Sequence, residues 1–63
     1  MSVIIDYTNY KGERRRRTIT PKNIAFKSTE YHPQTQWVLH AYDEDKKDFR
    51  DFAMANIHSW EQL

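Results

Sequence analysis

The sequence predicts a mostly β protein: a small, five-stranded, strongly bent antiparallel barrel. Three observations predict it. Apolar residues come in short bursts that alternate with polar ones, not at helical spacing. The segments between the bursts are short and polar, and Gly12, Pro21 and Pro33 are the only glycine and prolines. Sixty-three residues permit one domain, spanning 1–63, that buries only about 60% of its unfolded surface. In so small a chain, closing the sheet on itself removes the exposed edges that an open sheet would leave.

The elements follow in order. Val3-Ile4-Ile5-Asp6-Tyr7-Thr8 is β-branched and aromatic and suits a strand. Asn9 to Glu13 reads as a turn, with Gly12 supplying the positive φ. Arg14 to Thr20 is a second strand, completing a hairpin. Pro21 lacks an N–H and belongs at a strand end or bulge. Lys22 to Ser28 alternates Ile24 and Phe26 and reads as a third strand. Thr29 to Gln36 is a polar loop containing Pro33. Gln36 to Asp43 sets Trp37, Leu39 and Ala41 against Val38, His40 and Tyr42, the clearest strand in the chain. Asp43 to Asp48 is a charged turn, and Phe49 to Ala53 a fifth strand. Met54 to Ile57 fits one helical or 3₁₀ turn. Trp37, Leu39, Phe52, Ile57 and Trp60 read as core.

Composition narrows the function. There is no cysteine, so there is neither a disulfide framework nor a thiolate metal site, as expected of a cytoplasmic protein. Aromatic residues make up 14% of the chain, which disordered segments lack. No apolar run is long enough to cross a bilayer, and the first residues lack the pattern of a signal peptide. His32, His40 and His58 lack metal-ligand spacing. The acidic run from Asp43 to Asp48 lacks the glycine and glutamate of a calcium loop. No nucleophile–base set and no glycine-rich phosphate loop stands out. The expectation is a protein that is not an enzyme and needs no metal or cofactor.

Charge is the loudest signal. Residues 1–31 carry seven Lys/Arg against three Asp/Glu, while residues 32–63 carry three against six. Four arginines are consecutive, Arg14 to Arg17. On a strand, Arg15 and Arg17 share one face with Ile19, and Arg14 and Arg16 share the other. If the Ile19 face is the inner one, Arg15 and Arg17 border a groove. A guanidinium there grips a carboxylate or a phosphate, and Tyr7 and Tyr10 are placed to stack bases. His40 and Tyr42 share a parity that would line a groove with Val38. The competing reading is a solvated basic strand whose arginines pair with Asp48, Asp51 or Asp6.

Several segments together resemble one known family. Arg17-Thr18-Ile19-Thr20-Pro21 resembles the Arg-x-apolar-x-Pro step of the WYL domain. Trp37 to Asp43 resembles its naming Trp-Tyr-Leu strand with the Ala-Tyr-Asp that follows, Val38 standing in the middle position. Phe49 to Ile57 resembles its closing motif, with Asn56 in place of the last arginine. Ile5 to Gly12 resembles its opening strand and turn. The resemblance implies an Sm-like or SH3-like barrel with a ligand-sensing role of the kind found in bacterial transcription regulators. It implies nucleic acid or nucleotide as the ligand, Arg17 and Arg50 as anion-binding residues, and Tyr42 and Tyr7 beside them. No helix-turn-helix lies within these 63 residues, so a separate regulator protein is the expected partner. The alternative is a protein-interaction or homodimerisation module, an accessory to a regulator or to a phage defence or anti-defence system. An enzyme acting on nucleotides is the third class.

Overall fold

The computed structural model describes residues 1–63. Five strands form one antiparallel sheet: β1 (Val3–Thr8), β2 (Arg14–Lys27), β3 (Gln36–Asp43), β4 (Asp48–Ala53) and β5 (Ile57–Gln62). A 3₁₀ turn, η1 (Met54–Asn56), separates β4 from β5. The strand order is β4-β3-β2-β1-β5. No ladder joins β4 to β5, yet these opposite edges are consecutive in the chain. A flat sheet of this order would set them about 19 Å apart at about 4.8 Å per strand. The four steps from Ala53 to Ile57 reach at most about 14 Å, so the sheet must curl.

Two expectations need correction. The predicted strands Arg14–Thr20 and Lys22–Ser28 are one continuous strand, β2, in which the register shifts between Pro21 and Asn23. Pro21 sits at the bulge, where a missing N–H costs no ladder bond, so it bends the strand instead of ending it. The fifth strand is Ile57–Gln62, paired with β1; its sequence IHSWEQ carries too little apolar alternation to be read as a strand.

Local chemistry explains the turns. Asn9 Oδ1 accepts the N–H groups of Lys11 and Glu13, each at 2.9 Å, and Gly12 takes φ 84°. In the β3–β4 turn, Asp43 Oδ1 accepts the N–H groups of Asp45 and Lys46 at 3.0 and 3.1 Å. Lys47 closes that turn in the left-handed region at φ 56°.

The core gathers Val3, Ile5, Tyr7, Ile19, Leu39, Ala41 and Phe52, with Met54 and Ile57 packed against it. Tyr7 meets Phe52 edge-on, with centroids 5.0 Å apart. Trp37 and Trp60, expected in the core, are 57% and 45% exposed. Trp37 does lie on the face that carries Leu39, but that face runs on beyond the part covered by β1.

Candidate anion-binding cavity

Strand pairing sorts the four arginines. The register sets Tyr7 against Arg15, Ile5 against Arg17 and Val3 against Ile19. Directly opposed residues share a face, so Arg15 and Arg17 continue the core face towards the β1–β2 turn. Asp6 opposes Arg16 and Thr8 opposes Arg14 on the other face. There the charge is already matched. Arg14 grips Asp6 with two bonds of 2.9 Å, and Arg16 reaches Glu61 at 2.8 Å. The hydrogen bond from Arg14 holds the Asp6 carboxyl below its ordinary range, against the opposing effect of desolvation.

Arg17 is anchored. Its side chain is 11% exposed, and its Nη1 donates to Asp43 Oδ2 at 3.1 Å. Asp43 is fully buried. The guanidinium carbon lies 5.8 Å from the centroid of Tyr7 and 5.7 Å from that of Phe52, within cation–π range. Arg17 Nε is enclosed and has no hydrogen-bond partner. The carboxylate that holds Arg17 is thus Asp43, and not Asp48, Asp51 or Asp6 as the sequence suggested.

Arg50 arrives from β4. It opposes Ala41, and Phe52 opposes Leu39, so Arg50 lies on the core face at its solvent margin. Arg15, Arg17 and Arg50, together with Tyr7, line one open cavity of about 950 Å³, to which the β3–β4 turn adds Lys46. Tyr10 and Tyr31, stacked at 4.6 Å, form another part of the wall and tie the β1–β2 turn to the β2–β3 loop. Neither Arg15 nor Arg50 makes an ion pair. Of the four carboxylates in the wall, Glu13 is held by Asn9, Asp51 by Lys27 and His40, and Asp48 by the N–H of Phe49; Glu30 is the fourth. The Tyr7 hydroxyl accepts the N–H of Ala53 at 3.1 Å, and burial pushes its pKa up.

Two residues singled out from the sequence lie elsewhere. His40 and Tyr42 are one position out of phase with Ala41 and occupy the outer face of β3. His40 stacks on Phe49 at 5.3 Å and bonds Asp51 through Nδ1 at 2.9 Å, and Tyr42 meets Phe49 edge-on. The structure therefore brings together Arg15, Arg17, Arg50 and Tyr7, but not His40 and Tyr42. Sequence reasoning missed Lys46, Tyr31 and His32. His32 lines the cavity with its Nε2 buried and unpartnered, and its backbone is held by Thr29. These three sit on turns, where alternation carries no signal.

Chemically, two guanidiniums with free donors face one cavity, beside a third that is locked in place, with aromatic rings in the same wall. That set suits bidentate contacts to an anion and stacking against a planar group. No cluster of three His, Asp, Glu or Cys side chains is placed to hold a metal ion. No helix is long and apolar enough to cross a membrane.

Comparison with known proteins adds the last observation. No curated protein and no solved structure matches the chain significantly. The family model of the WYL domain matches residues 1–62. That span takes in the β2 arginines, the Trp37–Asp43 strand and the Arg50 strand together, and the chain belongs to the WYL domain family of ligand-sensing regulatory domains.

Proposed function

We propose that this domain senses an anionic ligand, nucleic acid or nucleotide, bound in the basic cavity. One observation carries the reading. The outward arginines Arg14 and Arg16 are neutralised by carboxylates, whereas Arg15 and Arg50 converge unpaired on the same cavity. Unpaired guanidiniums held beside exposed aromatic rings match what a phosphodiester strand or a nucleotide presents. Arg17 has a different role from Arg15 and Arg50: clamped by Asp43, it fixes the cavity floor and contributes its positive field. The open mouth suits a strand or a nucleotide partly exposed to solvent. Regulation would follow through a partner that reads the occupied cavity.

The test is binding of short single-stranded DNA, RNA and cyclic nucleotides, followed by fluorescence anisotropy at low salt. Arg15→Ala and Arg50→Ala should each weaken binding about tenfold or more, as expected for charge-assisted bonds of about 1.5–3 kcal/mol. Arg14→Ala and Arg16→Ala should act only through screened charge. Equal losses at all four positions would remove the site.

A further inference from the structure

Two tyrosines in the cavity wall take no part in the core. Tyr10 sits on the β1–β2 turn and Tyr31 on the β2–β3 loop. Their rings stack with centroids 4.6 Å apart and planes 26° apart, yet each residue is 54% exposed. The other rings near the arginines are already used. Tyr7 and Phe52 are 3% and 2% exposed, too buried to take a flat ligand. Phe49 is engaged by His40 and Tyr42 on the outer face. Stacking in this cavity therefore falls to Tyr10 and Tyr31.

Neither segment depends on the stack for its shape. In the turn, the Asn9 N–H donates to the Glu13 carbonyl at 2.8 Å and the Gly12 N–H to the Asn9 carbonyl at 2.9 Å. In the loop, Thr29 and His32 exchange backbone bonds of 2.9 and 3.2 Å, and the Thr29 hydroxyl accepts the His32 N–H at 3.0 Å. Both rings hang from ordered backbone, so the surface is set before a ligand arrives and little entropy is lost on binding. Charge surrounds it. The Lys11 ammonium lies 5.8 Å from the Tyr10 centroid. The Glu30 carboxylate beside the Tyr31 hydroxyl pushes its pKa up, and the charge of Arg50 acts the other way. The stack thus stands within electrostatic reach of a guanidinium that has no ion pair. No second ring and no cation lies over Tyr31, so its outer face is available.

We propose that the Tyr10–Tyr31 stack is a base platform: an unstacked nucleobase lies on the outer face of Tyr31 while its phosphate meets Arg50. This rests on the reading of the cavity as a site for nucleic acid or nucleotide. It adds that the ligand is chosen by a bare base and not by charge alone. Inorganic phosphate and polyphosphate have no base to offer, and a duplex keeps its base faces stacked on one another. The shared chemistry is that of single strands and free nucleotides. Sequence should matter little, because every base has a π-face.

The test uses the full chain and two probes of equal length, a short thymidine oligonucleotide and an abasic one with the same phosphates. Wild type should prefer the thymidine strand by about 5- to 150-fold, as one stacked base provides. Tyr31→Leu should bring the thymidine strand down towards the abasic one and leave abasic binding unchanged, while Tyr31→Phe should keep the preference. Arg15→Ala/Arg50→Ala should weaken both probes. Displacement by thymidine monophosphate assigns a free nucleotide as the source, and its failure assigns a strand; Tyr31→Leu should weaken whichever binds. If wild type holds both probes equally and the arginine variant loses both, the platform falls and the anion cavity stands. If neither probe binds, both readings fall. A preference that survives Tyr31→Leu, or equal losses on both probes in that variant, also overturns the platform, the latter marking the stack as a structural tie between turn and loop.

Discussion

Removing one charge from the Arg17–Asp43 pair is the sharpest perturbation the fold offers. Asp43 is fully buried, and Arg17 is buried nearly to its tip. Asp43→Asn keeps the oxygen that caps the turn at Asp45 and Lys46 and replaces the charged acceptor facing Arg17 with a neutral donor. Arg17→Met keeps the apolar stem against Tyr7 and Phe52 and removes the guanidinium. Either change leaves a buried charge uncompensated, which costs about 3–5 kcal/mol. A domain of this length holds roughly 3–9 kcal/mol at about 0.05–0.15 kcal/mol per residue. Each single variant should therefore lose more than about 12 °C in Tm, at about 4–8 °C per kcal/mol. The double variant has no orphaned charge, so its loss should fall short of the sum by about 2–3 kcal/mol. Urea unfolding followed by far-UV circular dichroism measures this cycle; both tryptophans are exposed and make poor probes. Single variants within about 0.5 kcal/mol of wild type, or an additive double, would refute the view that this pair holds the cavity floor.

Phe52→Ala should cost about 3–5 kcal/mol, because Phe52 is 2% exposed. Trp37→Ala, at 57% exposure, should change the Tm of the dilute chain by only a few degrees; a collapse of the fold would mean that Trp37 is core after all. The carboxyls of Asp6, Glu44 and Asp51 are all held below their ordinary values. Asp6 owes this to Arg14, and Glu44 to hydroxyl donors on Ser2 and Thr20. For Asp51, burial raises the value, but His40 and Lys27 together outweigh it. A depressed folded value stabilises the fold above the unfolded pKa, and that stability is lost as pH falls through the folded one. Tm should thus be level from neutral pH to about 4.5 and fall below about 4, and Glu44→Gln should flatten part of the drop. A Tm that rises on acidification would contradict these assignments.

The sheet was legible where period-two alternation met a buried face. Ile19 assigns the inner parity, and from it the inward turn of Arg15 and Arg17 follows. Arg17's partner was not legible, because Asp43 lies 26 residues away and only the β2–β3 register brings it near. Alternation also placed Trp37 on the correct face, yet it cannot say how far the neighbouring strand extends to cover that face. β1 begins at Val3, opposite Ile19, and Trp37 lies beyond that point. Pro21 was legible as a strand end or a bulge; it is the bulge, and alternation alone does not say that the segments on either side of it form one strand. His40 and Tyr42 were grouped with the site through family likeness and their shared parity, but the face they share is the outer one. Lys46, Tyr31 and His32 reach the cavity from turns, whose paths depend on tertiary contacts.

Salt dependence tests the central claim most directly. The affinity of a short single-stranded oligonucleotide would be measured across a salt series for the wild type and for the Arg15→Ala/Arg50→Ala double variant. If these two guanidiniums neutralise two phosphates, the log–log slope of the wild type should be steeper by about 1.4, at about 0.7 per phosphate. Equal slopes in the two proteins, or a wild-type affinity indifferent to salt, would contradict a phosphate-binding cavity built on Arg15 and Arg50.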